Sequence, residues 1–91
     1  MIMEFPEDLT ENCCKRLHRI KGQVEGIERM LLDKRDCKDI ITQISAAAKA
    51  LEQVGFNLVA SGISYCLENP EQAEEEGYQL DDIRKMFLKL S

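Results

Sequence analysis

Four cysteines, one histidine and a short run of cations are the side chains of this chain best suited to chemistry. Cys37 and Cys66 lie 29 residues apart, in a stretch that reads as one helix. At about 100° per residue, that spacing returns nearly to the starting azimuth, so both thiols share one face. At about 1.5 Å of rise per residue they stand roughly 44 Å apart and cannot meet in one straight helix. A second copy packed antiparallel, with the two-fold axis near Leu51 and Glu52, brings Cys37 of one copy to Cys66 of the other. Two thiols held across a subunit boundary fit a sensor of metal or reactive sulfur better than a catalyst. The bland alternative is a pair of small hydrophobes in a helical core. Against it, Cys37 follows Lys34 and Arg35 at the expected start of a helix. There the helix dipole and nearby cations favour the thiolate, the form that attacks sulfur and binds soft metals.

The second candidate is the segment Lys15-Arg16-Leu17-His18-Arg19-Ile20-Lys21. On a helical wheel Lys15, Arg16, Arg19 and Gln23 share one flank beside the apolar stripe. Such a strip can neutralise phosphates, and Gln or Arg can read base edges. Lys21 and Lys49 are weaker electrostatic contributors. Taken alone, the charges fit an ordinary solvated face equally well, and no helix-turn-helix or zinc-finger spacing is present. His18 falls on the side of its helix away from Ile20 and Val24, a surface position rather than a metal ligand. Cys13 lies on the apolar stripe, Cys14 beside it, and adjacent cysteines seldom satisfy disulfide geometry. No Gly-rich phosphate loop, Ser/His/Asp or Cys/His arrangement or CxxC is present, so neither an enzyme nor a resident cofactor is expected. The consecutive Glu74, Glu75 and Glu76 point different ways and read as a solvated surface.

The elements that position these groups are helices. Ninety-one residues make a single domain, 1–91, with only two prolines and five glycines to interrupt it. A chain this short buries about 60% of its unfolded surface, so association with further copies is expected. The net charge of −5 is unevenly spread. Residues 13–35 carry seven basic and three acidic groups, a local +4 that leaves −9 elsewhere. Segregated charge keeps nucleic acid open as a partner. No stretch approaches the ~20 apolar residues of a membrane span, and Met1-Ile2-Met3 and the residues after them lack a signal peptide's pattern. A cytoplasmic protein with reduced thiols is expected rather than a disulfide framework.

Three helices are predicted. The first runs from Glu7 or Leu9 to Leu32 behind Pro6, with an apolar stripe of Leu9, Cys13, Leu17, Ile20, Val24, Ile27 and Leu31. The second runs from Cys37 to Glu68, with Asp36 as a plausible N-cap and Asn69-Pro70 as its end. Its inward stripe includes Ile40, Ile41, Ile44, Ala47, Ala48, Leu51, Val54, Leu58 and Gly62, with Gly55 and Gly62 marking close helix approach. An acidic segment, partly helical, leads to Gly77, and the third helix covers Leu80 to Leu90. Two long antiparallel helices per chain predict a four-helix bundle with a second copy.

Arg16-Leu17-His18-Arg19-Ile20-Lys21-Gly22-Gln23-Val24-Glu25-Gly26-Ile27 resembles the first-helix signature of the copper-sensing operon repressor (CsoR/RcnR) family. Asp36-Cys37-Lys38-Asp39-Ile40-Ile41-Thr42-Gln43-Ile44-Ser45-Ala46 resembles that family's second-helix signature. The resemblance covers roughly residues 9–90. It implies an all-α chain, an antiparallel four-helix-bundle dimer, and a flat tetramer made of two dimers. It also implies repression through operator DNA, released when an inducer engages cysteines at the intersubunit site.

Carried over residue by residue, the family's two thiols match Cys37 and Cys66. Copper members place a histidine four residues before the second thiol, where Gly62 stands here, so the Cys₂His copper site is incomplete. Their tyrosine and glutamate relay corresponds to Asp36 and Asp82, and the arginine frequent in mid-helix 2 corresponds to Glu52. Nickel- and cobalt-type histidines are missing, and Met1-Ile2-Met3 lacks the N-terminal proline of aldehyde-responsive members. A dithiol without the histidine is similar to the persulfide-sensing, CstR-like branch. That resemblance implies di- or polysulfide bridges between Cys37 and Cys66 of neighbouring subunits, with inorganic polysulfide or organic persulfide as inducer. The alternatives are a Cu(I)-responsive repressor using the two thiolates, and a sulfur-transfer protein that does not bind DNA.

Overall fold

The computed structural model describes residues 4–90 and is all-α among them. Met1, Ile2 and Met3, on which the signal-peptide and N-terminal-proline readings partly rest, lie outside the described residues. The elements are α1 (Glu7–Leu32), α2 (Cys37–Glu68), α3 (Pro70–Glu75) and α4 (Leu80–Leu90). The two long helices fall where the apolar periodicity puts them. The three-helix expectation is corrected by α3, a six-residue helix in the acidic segment. Pro70 opens it, since proline's fixed φ suits a first helical turn and it has no N–H to leave unpaired.

Local chemistry sets the ends. Pro6 precedes α1 at φ −54°, and its carbonyl accepts the Thr10 N–H at 2.9 Å. Glu7 and Asp8 lie at the positive end of the helix dipole. At the other end Lys34 takes the left-handed conformation, φ 55°. Its N–H donates to Leu31 O (3.2 Å) and that of Arg35 to Met30 O (3.0 Å), a Schellman motif that turns the chain into α2. Asp36 occupies the N-cap position of α2, but its side chain makes no capping hydrogen bond.

α2 is the spine, with α1 packed along it and α3 and α4 folded back on its C-terminal half. One buried cluster joins Cys13 and Ile20 of α1 to Val54 of α2, flanked by Leu9, Ala50 and Leu58. A second joins Cys66 to Ala73 of α3 and Ile83 of α4, flanked by Val59, Ile63, Tyr65 and Tyr78. Gly55 admits a close approach as expected, since a Cβ there would stand 2.9 Å from Leu90 Cδ1. The Phe56 and Phe87 rings lie 5.2 Å apart beside it.

Eight residues of the predicted stripe are exposed rather than in this core. Leu17, Val24 and Leu31 of α1 and Ile41, Ile44 and Leu51 of α2 are exposed, Leu31 by 61% and Leu51 by 51%. Ala48 and Cys37 are exposed as well. The reason is geometric: a molecule measuring 54 × 25 × 16 Å is too thin for one packing partner to cover the whole stripe of a long helix.

Candidate nucleic-acid interface and thiol site

The α1–α2 packing places the cations. With Ile20 and Ala50 in its floor, a groove of about 580 Å³ runs between the helices, lined also by Asn12, Lys15, Arg16, Arg19, Gln23 and Gln53. The four residues of the sequence-derived flank (Lys15, Arg16, Arg19 and Gln23) therefore share one groove. None of the three cations makes an ion pair among the described residues; the ion pairs there are Arg35–Asp39, Arg84–Asp81 and Lys85–Asp81. Arg16 Nε donates to Asn12 Oδ1 at 2.9 Å, which orients the guanidinium. Three cations and three amides with little nearby acid form a surface suited to a polyanion. Sequence reasoning missed Asn12 and Gln53. Asn12 was findable, because it stands one turn before Arg16 on the same face.

Lys21 and Lys49 are not in this groove. Lys49 lines a separate surface with Ile41, Thr42, Ser45 and Ala46. Lys21 is exposed on another face of α1, and His18 is exposed outside the groove too.

The two candidate thiols differ in setting. Cys37 is the first residue of α2 and exposed, with the Arg35–Asp39 ion pair (3.8 Å) alongside. Cys66, near the far end of the same helix, is buried at 8% exposure beneath Ala73 and Ile83. The unbroken helix between them keeps them apart within one chain, as the spacing requires. All four cysteines are free thiols, Cys13 buried and Cys14 exposed. Gly62 is buried one turn before Cys66 and lines an apolar cavity of about 320 Å³ with Leu58, Val59, Ile83 and Met86. Among the described residues, no three His, Cys, Asp or Glu side chains of the chain group as a metal site.

Asp36 and Asp82 are exposed and form no relay. The structure holds a different Tyr–Glu pair. Tyr65 donates its hydroxyl to Glu76 Oε1 at 2.6 Å, and that carboxylate, with burial second, pushes the phenol up to about 12. This corrects the reading of residues 74–76 as uniformly solvated: Glu74 and Glu75 are exposed, but Glu76 turns inward. Glu76 still has helical geometry at the end of α3, its N–H donating to Gln72 O at 3.0 Å, so the packing of α3 against α2 aims it at Tyr65. Gly77 at φ 87° then closes a second Schellman motif (Tyr78 N–H to Ala73 O, 2.8 Å) that folds Tyr78 back onto α2.

Comparison with known proteins adds to this geometry. Residues 10–89 match a family model described as metal-sensitive transcriptional repressor. The chain is 46% identical over 57 residues to the copper-sensing transcriptional repressor RicR of Mycobacterium tuberculosis, a match covering 63% of this chain and 59% of that relative. It is 32% identical over 76 residues to the copper-sensing transcriptional repressor CsoR of Bacillus subtilis, covering 84% and 75%. The fold superposes on a crystal structure of the copper-sensing repressor CsoR with Cu(I) from Geobacillus thermodenitrificans. The TM-score is 0.78 at 35% identity, covering 98% of this chain and 92% of that one.

Proposed function

The chain belongs to the metal-sensitive transcriptional repressor family, and from that premise we propose that it represses its target by binding operator DNA through the α1 groove and lets go when Cys37 and Cys66 of two copies take up Cu(I). This is a family of repressors, not of enzymes, so the sulfur-transfer alternative is set aside. The observation that supports the DNA reading best is the clustering of Lys15, Arg16, Arg19 and Gln23 in one groove without acidic partners. A partner for the exposed apolar face of Leu17, Val24, Leu31, Ile41, Ile44 and Leu51 is a second copy, the arrangement that brings the two thiols together. Pairs of such dimers would form the tetramer. Repression takes place where the operator is, in the cytoplasm, and no described helix is long and apolar enough to cross a membrane.

The donor set fits Cu(I). Two thiolates suit a soft monovalent metal that accepts low coordination numbers. Gly62 offers no side-chain donor, so the fit is to two ligands, Cys37 and Cys66, one from each copy. The copper-sensing relatives support this inducer over others.

One observation favours a second inducer. Gly62, one turn before Cys66, has no side chain where the copper pattern has a histidine, which leaves a bare dithiol of the kind a bridge lengthened by sulfur atoms requires. In that chemistry a Cys37 thiolate attacks the outer sulfur of a persulfide R–S–SH, forming Cys37–S–SH and releasing the thiolate RS⁻. Cys66 of the other copy takes an outer sulfur from a second persulfide in the same way. The Cys37–S–S⁻ group then attacks the inner sulfur of Cys66–S–SH, forming the trisulfide Cys37–S–S–S–Cys66 and releasing HS⁻.

The test starts with reduced protein and DNA from upstream of its own gene. A salt-sensitive gel shift supports repression, and no shift at any salt concentration removes it. Intact masses under non-reducing conditions then separate the inducers. Release of DNA with a copper adduct and no crosslink supports Cu(I). Crosslinked chains heavier by whole sulfur atoms after polysulfide, with no effect of Cu(I), replace it with the sulfur reading.

A further inference from the structure

The cluster around Cys66 contains one polar device in apolar surroundings. Tyr65 directly precedes Cys66 on α2, and its hydroxyl donates to Glu76 at the end of α3 over 2.6 Å. The Tyr78 ring meets the Tyr65 ring edge-on at 6.4 Å. Between these contacts, Ala73 of α3 and Ile83 of α4 lie over the Cys66 thiol. We propose that Tyr65 and Glu76 are positioning residues for Cys66, a clamp that holds the α3–α4 cover on the thiol and sets how readily it is reached.

Three features support the clamp. A phenol–carboxylate hydrogen bond has a charged acceptor, which makes it stronger than a neutral one. Glu76 is held in direction by α3, its N–H still on Gln72 O, and the left-handed turn at Gly77 then brings the Tyr78 ring back against Tyr65. Finally, the two thiols are unequally covered: Cys37 is open to solvent, whereas Cys66 is reached only when α3 and α4 yield or the thiol turns outward. An inducer that bridges the two therefore meets Cys37 first, and the clamp governs the second bond. Where α3 and α4 yield, engagement of Cys66 displaces the C-terminal helices, a movement that thiol chemistry at Cys37 alone would not cause. The clamp rests on reading Cys66 as a sensing thiol, so its test measures thiol access instead of gene response.

The experiment is timed alkylation of the intact reduced assembly with iodoacetamide, each cysteine followed by peptide mass spectrometry. Tyr65→Phe keeps the ring contact and removes the donor; Glu76→Ala removes the acceptor; Glu76→Gln keeps an acceptor oxygen. Tyr65→Phe and Glu76→Ala are expected to speed labelling of Cys66 about tenfold, as loss of a hydrogen bond to a charged group predicts. Glu76→Gln is expected to restore most of the protection. Cys14, exposed on α1 and outside the thiol pair, is the internal reference whose rate should not change. Unchanged labelling of Cys66 in Tyr65→Phe overturns the clamp, as does faster labelling of all four cysteines together, which signals general loosening. Should Glu76→Ala not fold, Tyr65→Phe against Glu76→Gln decides. Neither result resembles failure of the sensing reading, which appears as DNA binding indifferent to any inducer.

Discussion

Arg16 and Asn12 stand one helical turn apart on α1, and the Arg16 Nε–H donates to Asn12 Oδ1 at 2.9 Å. The amide holds the guanidinium stem and leaves the two terminal nitrogens to meet a phosphate or a base edge. Arg16→Ala should weaken operator binding about tenfold or more at moderate salt and lower the salt-dependence slope by about 1. Asn12→Ala should cost less, because it frees the guanidinium without removing it. Lys49→Ala, outside the groove, should cost least. Fluorescence anisotropy across a salt series checks the order, and an Arg16→Ala protein that binds as well as wild type removes α1 from the interface.

Restoring the missing donor tests the metal reading. Gly62→His places an imidazole one turn before Cys66, in the cavity shared with Val59, Ile83 and Met86. If the two thiolates hold Cu(I), a third ligand should tighten its binding by about tenfold or more, equal to ~1.4 kcal/mol. Competition with a Cu(I) chelator reads this directly. The same side chain adds bulk one turn before Cys66, so crosslinking by polysulfide should slow.

Tyr65 links pH to stability. Its phenol is raised to about 12 by the Glu76 hydrogen bond, against 10.0 for the free group. Between those values the folded chain retains a proton that the unfolded chain has lost. The stabilisation is thus fully present below pH 10 and is lost as pH rises through about 12. The chain has two tyrosines, so ultraviolet titration of tyrosinate should resolve a late component that Tyr65→Phe abolishes. A single titration near the ordinary value would show the hydrogen bond absent in solution.

Lys34 occupies a left-handed position at φ 55°, where a Cβ is strained. Lys34→Gly keeps the Schellman bonds of the α1–α2 turn and relieves that strain. Stability should rise by about 1 kcal/mol, measured by urea denaturation with an unchanged slope. A loss of stability would mean that the lysine side chain contributes more to the turn than its backbone costs.

The legible part of this protein is its long-helix frame and the grouping of its α1 side chains. Apolar spacing at three and four residues fixes Glu7–Leu32 and Cys37–Glu68, because an amphipathic helix has one period whatever it packs against. The same period puts Lys15, Arg16, Arg19 and Gln23 on one flank, and the groove confirms their proximity. Gly55 was legible as a place of close approach, though not that Leu90 makes it.

Periodicity does not say how far a stripe is covered, so Leu31 and Leu51 could not be told from Cys13 and Val54 by spacing alone. Nor does it reveal the short α3. The Glu74–Glu76 run looks uniformly solvated until the packing of α3 on α2 brings Glu76 against Tyr65, eleven residues earlier.

By itself the sequence determined that Cys37 and Cys66 share a helix face and cannot meet within one chain, since helical pitch and rise are properties of the backbone. Only the tertiary structure decided that the thiols are unequal, one open and one roofed by Ala73 and Ile83. That difference comes from where α3 and α4 fold back onto α2, which depends on contacts between residues distant in sequence and not on any local pattern.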